Sequence, residues 1–527
     1  MPDHHYEVVI IGAGPSGIIS ARLLREKGIT DFVILERGDE FGGSWRDNHY
    51  PGLEVDIPSL AYQFSFARNP DWSRLFAPGP EIQRYLCGVA DNLGLYPHLR
   101  TGADVQRQIW DDDTGLWRLQ LSGGDTVWAR FVISAIGGYI NTKASVTIDG
   151  VEDFQGTVMR PNRWDDRYDV QRKRIAVIGT GSSGTQIVGA LSSSTQQLDV
   201  FQRTPAWVIP KPNFNVPRWL RAVFRVPGFV ATLNWLVRII MDMGVAPLVH
   251  VLPLLPTKVL ITVMPLYDRW CRLLYRGYLK ISVDDPDIRQ ALVPRYGILA
   301  KRPIISSRFV QAFNNPTTHL ITTPIKRITA TGVETVDGVE HPADLIVMAT
   351  GYELWTDPET YRPGTVVGRG GFDLADFYRS GGMHSYAGTA HPGLPNRWDI
   401  VGPQGFVGVA WHDFAELVAA HAVRVIDETR RRRCQVSHVG QEAFDRWNRT
   451  LKRRGKAINL YVRTCNPRLN TYMVNSHGQT VYYRPQTISG ARRFSRRSPL
   501  SDYQFSKRPT PALPFTRPEI RATEKLA

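Results

Sequence analysis

Residues 7–11 (EVVII) form an apolar run of the kind that becomes a parallel strand buried on both faces. The turn Gly12-Ala-Gly-Pro-Ser-Gly17 follows, then a helical stretch from Ile18 to Lys27 stopped by Gly28, then a second apolar run, Phe32–Leu35, ending at Glu36. This order predicts a βαβ unit. It recurs later in the chain, with a strand over Arg174–Ile178, the turn Gly179-Thr-Gly-Ser-Ser-Gly184, a helix over Thr185–Leu191 and a strand over Leu198–Gln202 that ends at Arg203. Leu345–Ala349 predicts a further buried strand, and Ala415–Ile426 a long helix. Between Pro212 and Tyr278 the chain is apolar, but Arg225, Arg238, Asp242 and Lys258 interrupt it, as do Pro247, Pro253, Pro256 and Pro265. That pattern predicts a helical insertion and no membrane span. The last 40 residues, rich in Pro, Arg and Ser, predict an irregular segment wrapping the surface.

Each Gly-rich turn is a GxGxxG placed between a strand and a helix, the context in which the motif binds a dinucleotide. The first glycine permits the tight turn, the second lets the backbone approach a pyrophosphate, and the third allows close helix packing. Glu36 lies 19 residues past Gly17, where a carboxylate accepts ribose hydroxyls and repels a 2′-phosphate. Arg203 lies 19 residues past Gly184, where a cation suits that phosphate. The first unit therefore predicts FAD or NAD, and the second NADPH. The expected architecture is α/β, with two Rossmann-like dinucleotide-binding domains and a helical insertion. Residues 1–165 are the first part of the FAD-binding domain and 166–335 the NADP-binding domain, with its insertion at about 212–290. Residues 336–527 are the second part of the FAD-binding domain, with a basic C-terminal extension.

The chain has 527 residues, 43% of them hydrophobic and 21% charged, which excludes a disordered or fibrous protein and a small stapled scaffold. Its four cysteines, Cys87, Cys271, Cys434 and Cys465, are far apart, so neither a metal site nor a dithiol centre is expected. The net charge of +15 is concentrated at the end, where residues 421–527 hold 23 Lys and Arg against 7 Asp and Glu. No nucleic-acid-binding signature accompanies these clusters, so nucleic acid is not an expected partner, while peripheral membrane contact is compatible with them. The strand-like run at Tyr6 leaves little room for a signal peptide ahead of it, which places the protein in the cytoplasm or on a membrane facing it. Oligomeric state is not readable from the sequence.

Several further strings carry a family resemblance. Glu36 … Gly42-Gly43-Ser44-Trp45, followed by Tyr50-Pro51-Gly52 … Asp56, resembles the FAD-domain signature of class B flavin monooxygenases. Phe154-x-Gly156-xxx-Arg160-xxx-Trp164-Asp165 resembles the type I Baeyer–Villiger fingerprint FxGxxxHxxxW(P/D), and Lys301-Arg302-Pro303 and Ala349-Thr350-Gly351-Tyr352 match further motifs. The resemblance runs from about residue 6 to 415. It departs at Arg160, where the family has histidine, and at Ala135-Ile136-Gly137, where an ATG-like motif is expected.

The resemblance implies an NADPH- and O₂-dependent flavoprotein that inserts one oxygen atom next to a ketone carbonyl, giving an ester or lactone through a C4a-peroxyflavin. The alternative is a flavin-containing monooxygenase oxidising sulfur, nitrogen or alkyl substrates. A dithiol-linked reductase would need a paired-cysteine motif that is absent. The implied cofactor residues are Gly12, Gly14, Gly17, Glu36, Gly43, Ser44, Trp45 and Asp56 for FAD. For NADPH they are Gly179, Gly181, Ser182, Ser183, Gly184, Arg203 and Lys301, with Thr350 and Gly351 in the second ATG-like motif. Arg302 is the implied catalytic residue, held by a bidentate contact from Asp56, and Arg160 is expected to form a salt bridge to Asp165 or Asp166. The partners are molecular oxygen and an apolar ketone or other small organic substrate. Trp219, Trp235 and Trp270 in the insertion either line an apolar entrance for a large ketone or pack as core.

Overall fold

In the computed structural model, the described residues are 5–508 apart from 140, 144–146, 307, 409, 468 and 470. The first apolar run is β1 (Tyr6–Ile11), with every side chain from Val8 onward buried. Burial on both faces follows from its parallel neighbours, β2 (Phe32–Leu35) on one side and, further along the chain, the strand Thr126–Ser134 on the other. The helix α1 (Pro15–Glu26) connects β1 to β2, and Pro at its first position is favourable because a proline lacks the N–H that would be orphaned there. A short helix, α2 (Ser44–Asp47), and the helix α3 (Gly79–Asn92) lead to β3 (Leu99–Arg100), which extends the sheet in parallel beyond β2. The strands β4 (Val105–Asp111), β5 (Leu116–Leu121) and β6 (Thr126–Ser134) form an antiparallel meander that returns beside β1. Arg397–Asp399 pairs with β6 and Val366–Val367 with β4, so the far end of the chain completes this sheet.

The second sheet is wholly parallel, in the order Thr318–Ile321, β9 (Gln197–Phe201), β8 (Arg174–Ile178), Leu345–Met348, β7 (Thr157–Met159). The strands 157–159 and 345–348, which the sequence boundaries put in the first and third segments, thus pair in the second sheet. They do so because an all-parallel sheet buries both faces and recruits the apolar runs that can fill it, and Leu345–Met348 is completely buried.

The two Gly-rich turns have matching geometry. Gly12 has φ +104° and Gly179 φ +107°, and a Cβ on Gly17 or Gly184 would stand 2.1 or 2.0 Å from the carbonyl oxygen of Gly12 or Gly179. Only glycine closes these turns. Gly14 and Gly181 then start α1 and α4 (Ser182–Leu191), and neither helix start is capped by a side chain.

The insertion is helical, with α5 (Arg218–Arg225), α6 (Phe229–Ala246) and α7 (Thr257–Ser282). Two expectations for it are corrected. α7 runs through Pro265, and Phe229–Leu254 is a continuous helical stretch of 26 residues containing an 18-residue window of mean hydropathy 1.6, long and apolar enough by length and composition alone to cross a membrane. Pro247 begins a helical turn, where its missing N–H is tolerated, so it does not divide the apolar run. The C-terminal expectation is corrected as well. Ile488–Arg497 is a helix, and Tyr503–Ser506 pairs antiparallel with Val436–Val439. Thr487 caps that helix by accepting the Gly490 N–H. The rest of the expected irregular tail, 509–527, lies outside the described residues.

Candidate active site

Glu36, at the end of β2, is buried and works as a hub. Its Oε2 accepts the Ala13 N–H (2.8 Å), and its Oε1 accepts the Gly38 N–H (2.8 Å) and Nη2 of Arg46 (3.0 Å). The carboxylate thereby ties the first Gly-rich turn to α2, whose start is set by Gly43 and Ser44. A Cβ on Gly43 would stand 3.1 Å from the Gly14 Cα, so the two backbones meet face to face. Next in line, Trp45 donates from Nε1 to the Tyr62 hydroxyl (3.0 Å).

In the second unit, Arg203 is exposed, and Lys301 stands close enough that the two cations repel. Burial, then Arg203, lowers the Lys301 ammonium below its usual range. Among the described residues neither has a carboxylate partner, and two unneutralised cations side by side suit a phosphate. Replacing Arg203 by alanine is expected to raise the NADPH KM at least about tenfold, in line with the roughly 1.5–3 kcal/mol of a charge-assisted contact, while leaving the NADH KM nearly unchanged. Steady-state kinetics with both cofactors decides it, and equal losses would remove the assignment.

Arg302 and Asp56 meet between the two units, with Nη2 2.9 Å from Oδ2. Burial would lower the Arg302 pKa, but Asp56 foremost, and then the phenols of Tyr482 and Tyr139, leave it raised. The guanidinium is therefore charged at every working pH while 34% of its side chain stays open. Asp56 is itself fixed from behind. Two residues before it, Glu54 pairs with the buried Lys211 (2.7 Å), and the Lys211 ammonium also donates to the Val55 carbonyl (2.9 Å). The desolvation of Lys211, partly opposed by Glu54, lowers its pKa.

Around Arg302 stand residues that no motif marks. The Tyr472 hydroxyl accepts the Arg302 backbone N–H (3.2 Å), and the hydroxyls of Tyr139 and Tyr482 bond each other (2.8 Å). Burial pushes all these phenols upward, Tyr483 to about 12 against the opposing pull of Arg302, so they remain protonated. The sequence carries only one hint of them, the run Val481-Tyr482-Tyr483-Arg484 in an otherwise polar stretch.

The fingerprint residues are structural. A Cβ on Gly156 would collide with the Phe154 ring (2.6 Å) and the Asp344 carbonyl oxygen (2.7 Å), and Trp164 is buried in the core of the second unit. Arg160 does not pair as expected. Its Nη1 donates to the Lys143 carbonyl (3.4 Å), while Asp165 pairs with Arg167 and Asp166 with His49. The Lys143 N–H in turn bonds the Gly351 carbonyl (3.1 Å), so Arg160 braces the crossover onto the second ATG-like motif. A backbone carbonyl is an adequate partner for a guanidinium, and the nearby carboxylates are already engaged.

Both nucleotide sites fit their cofactors. The uncapped starts of α1 and α4 leave backbone N–H groups for a pyrophosphate, and among the described residues a Cβ on Gly181 would meet nothing within 4 Å and the buried Thr350 hydroxyl has no hydrogen-bond partner. A family model described as pyridine nucleotide-disulphide oxidoreductase matches residues 9–226, although all four cysteines of this chain are free. The fold is shared with an oxidised steroid monooxygenase bound to NADP (TM-score 0.81, 24% identity, 96% of this chain and 100% of that one) and with cyclohexanone monooxygenase in an open crystal structure (TM-score 0.78, 24% identity, 95% and 100%). This is the two-domain fold of flavin-dependent, NADPH-using monooxygenases. A Baeyer–Villiger monooxygenase from Streptomyces coelicolor is 33% identical over 96% of this chain and 94% of its own length, and one from Pseudomonas aeruginosa is 34% identical over 85% and 82%. The chain belongs to the Baeyer–Villiger monooxygenase family. Structures sharing this fold hold NADP, or FAD and NADP together, and the reading as an oxidase of sulfur, nitrogen or alkyl groups is not favoured.

Proposed function

We propose that the protein converts an apolar ketone to an ester or lactone beside Arg302, with FAD on the first unit and NADPH on the second. The observation that carries this reading is the Arg302–Asp56 pair, a fixed cation, about a third exposed, at the junction of the two nucleotide sites. FAD, reduced by NADPH, supplies the activated oxygen when bound. Gly12, Gly14, Gly17, Gly43 and Ser44 would shape its pyrophosphate cradle, with Glu36 holding the turn and offering a carboxylate for the ribose, and Trp45 would complete the FAD-side set. Gly179, Gly181, Ser182, Ser183, Gly184 and Thr350 cradle NADPH, Arg203 and Lys301 take its 2′-phosphate, and Gly351 keeps the backbone close. Arg302 places a preorganised positive charge where negative charge develops on the carbonyl oxygen. Asp56 is a positioning residue, aimed by the Glu54–Lys211 pair behind it. The phenols of Tyr139, Tyr482 and Tyr483, protonated at neutral pH, line the approach and donate hydrogen bonds without adding charge.

Structural neighbours named as cyclohexanone and steroid monooxygenases support a ketone on an apolar ring skeleton. Purified, FAD-loaded protein given a panel of cyclic, steroidal and linear ketones is expected to yield products one oxygen heavier, with ester or lactone formed in step with NADPH consumed. NADPH oxidation without such a product from any ketone, alongside conversion of a sulfide to its sulfoxide, would overturn the reading.

A further inference from the structure

The insertion carries an apolar surface that the protein itself does not cover. Only 6% of the apolar window in Phe229–Leu254 is buried, so it is no core helix. On α6 the residues Phe229, Leu233, Leu236, Ile240 and Met243 recur at the three- and four-residue spacing of one helix face, and all are exposed, Ile240 at 66% and Met243 at 70%. The opposite side is tied down. Val230 is buried, Asn234 donates to the Leu60 carbonyl (2.9 Å), and Asp242 accepts the Ile488 and Ser489 N–H groups at the start of the helix Ile488–Arg497. The composition continues on α7, where Leu260, Met264, Cys271 and Tyr275 pack inward while Val259, Val263, Leu266, Trp270 and Leu273 are exposed.

The charge beside α6 selects the occupant. α6 packs against α5, which carries Arg218, Arg221 and Arg225, and against Ile488–Arg497, which carries Arg492, Arg493, Arg496 and Arg497. Arg238, on α6 itself, is destabilised as a cation by burial and then by Arg492, with Arg68 adding to the effect. Carboxylates stand among these cations, with Asp71 paired to Arg225, Asp413 and Glu416 acting on Arg238, and Asp242 holding the start of the helix Ile488–Arg497, but the seven arginines of the two flanking helices outnumber them. An apolar stripe between arginine-rich flanks complements a leaflet with anionic headgroups, whereas a symmetric second copy would bring the same cations together. We propose that the exposed face of α6 seats in an anionic lipid surface, with the helix lying in the plane of the interface. A spanning helix would strip Asn234 and Asp242 of their partners. Leu60 lies four residues past Asp56, and Ile488 five past Tyr483, so α6 rests on the segments that border Arg302. An apolar substrate dissolved in the leaflet would reach the site through this face, a consequence that rests on the function proposed above, although lipid binding does not.

Flotation of full-length, FAD-loaded protein with phosphatidylcholine vesicles, with and without phosphatidylglycerol, tests this. Binding is expected to the phosphatidylglycerol vesicles, about tenfold weaker to phosphatidylcholine alone, and weakened by salt. The double variant Leu236→Glu, Ile240→Glu is expected to lose binding at least about tenfold while keeping its FAD content and basal NADPH oxidation. The variant Arg492→Glu, Arg493→Glu should bind phosphatidylglycerol vesicles no better than plain ones. Absence of vesicle binding by the parent protein, or undiminished binding by the α6 variant, would overturn the proposal. So would a parent dimer that ignores vesicles and dissociates in the α6 variant, which would give the face to a second copy.

Discussion

Arg302→Ala is expected to lower the rate of ester formation by about 10²–10³, corresponding to roughly 2.7–4 kcal/mol of lost transition-state stabilisation, while FAD remains bound. The separation follows from position. The FAD cradle proposed above is the Gly12–Gly17 turn, Glu36 and Gly43, whose contacts with one another do not involve Arg302. Among the described residues the guanidinium pairs with one carboxylate, Asp56, at 2.9 Å, and about a third of its side chain is exposed. Arg302→Lys keeps a charge but not the planar fork, so it should recover only part of the rate. Asp56→Asn should fall between the parent and the alanine variant, because the cation survives but loses its aim. FAD absorbance together with product formed per unit time reads all three, and an alanine variant making product at the parent rate would remove Arg302 from the chemistry.

Acid should weaken the fold early and steeply. His391, His412 and His421 are buried, and burial above all pushes their pKa values down to about 4, 3 and 3. His412 lies edge-on to Tyr62 and Phe64 with neither ring nitrogen hydrogen-bonded among the described residues, and His421 lies between the hydroxyls of Tyr503 and Ser498. In the unfolded chain each titrates near 6.5. Between there and the folded values the unfolded state binds more protons, so stability is complete above about pH 6.5 and drains away as pH falls, by roughly 1.4 kcal/mol per pH unit for each histidine. The three together remove about 4 kcal/mol by pH 5.5, a large share of an ordinary domain's 5–15 kcal/mol. Glu416 and Asp268, whose carboxyls burial pushes upward, act in the opposite sense at lower pH and blunt the fall. Thermal melts from pH 7.5 down to 5 should show the midpoint dropping by several degrees, with a shallower slope in His412→Leu. A midpoint independent of pH over that range would contradict the buried-neutral assignment.

The legible parts of this protein were those in which chemistry is written locally. A strand, a glycine turn and a helix within 30 residues suffice to close a phosphate cradle, because Gly12 and Gly179 must take positive φ and Gly17 and Gly184 must lack a Cβ whatever surrounds them. The same locality put Glu36 and Arg203 at the ends of their strands, and the motif strings around Asp56 and Arg302 marked two residues that the fold brings to within 2.9 Å. What required tertiary structure was every contact whose partner lies far along the chain. Strands 157–159 and 345–348 join the second sheet because register and burial, which no local pattern encodes, decide strand pairing. Tyr472 reaches the Arg302 backbone from 170 residues away, Tyr482 meets Tyr139 from 343 residues away, and Lys211 braces the Asp56 segment from 156 residues away. Arg160 found a carbonyl because the carboxylates beside it in sequence point to other bases. The apolar insertion is the sharpest case. Its charges and prolines argued against a span while its composition left core packing and an apolar entrance open, and only the packing of one α6 face on Leu60 and Ile488 shows which apolar residues stay exposed.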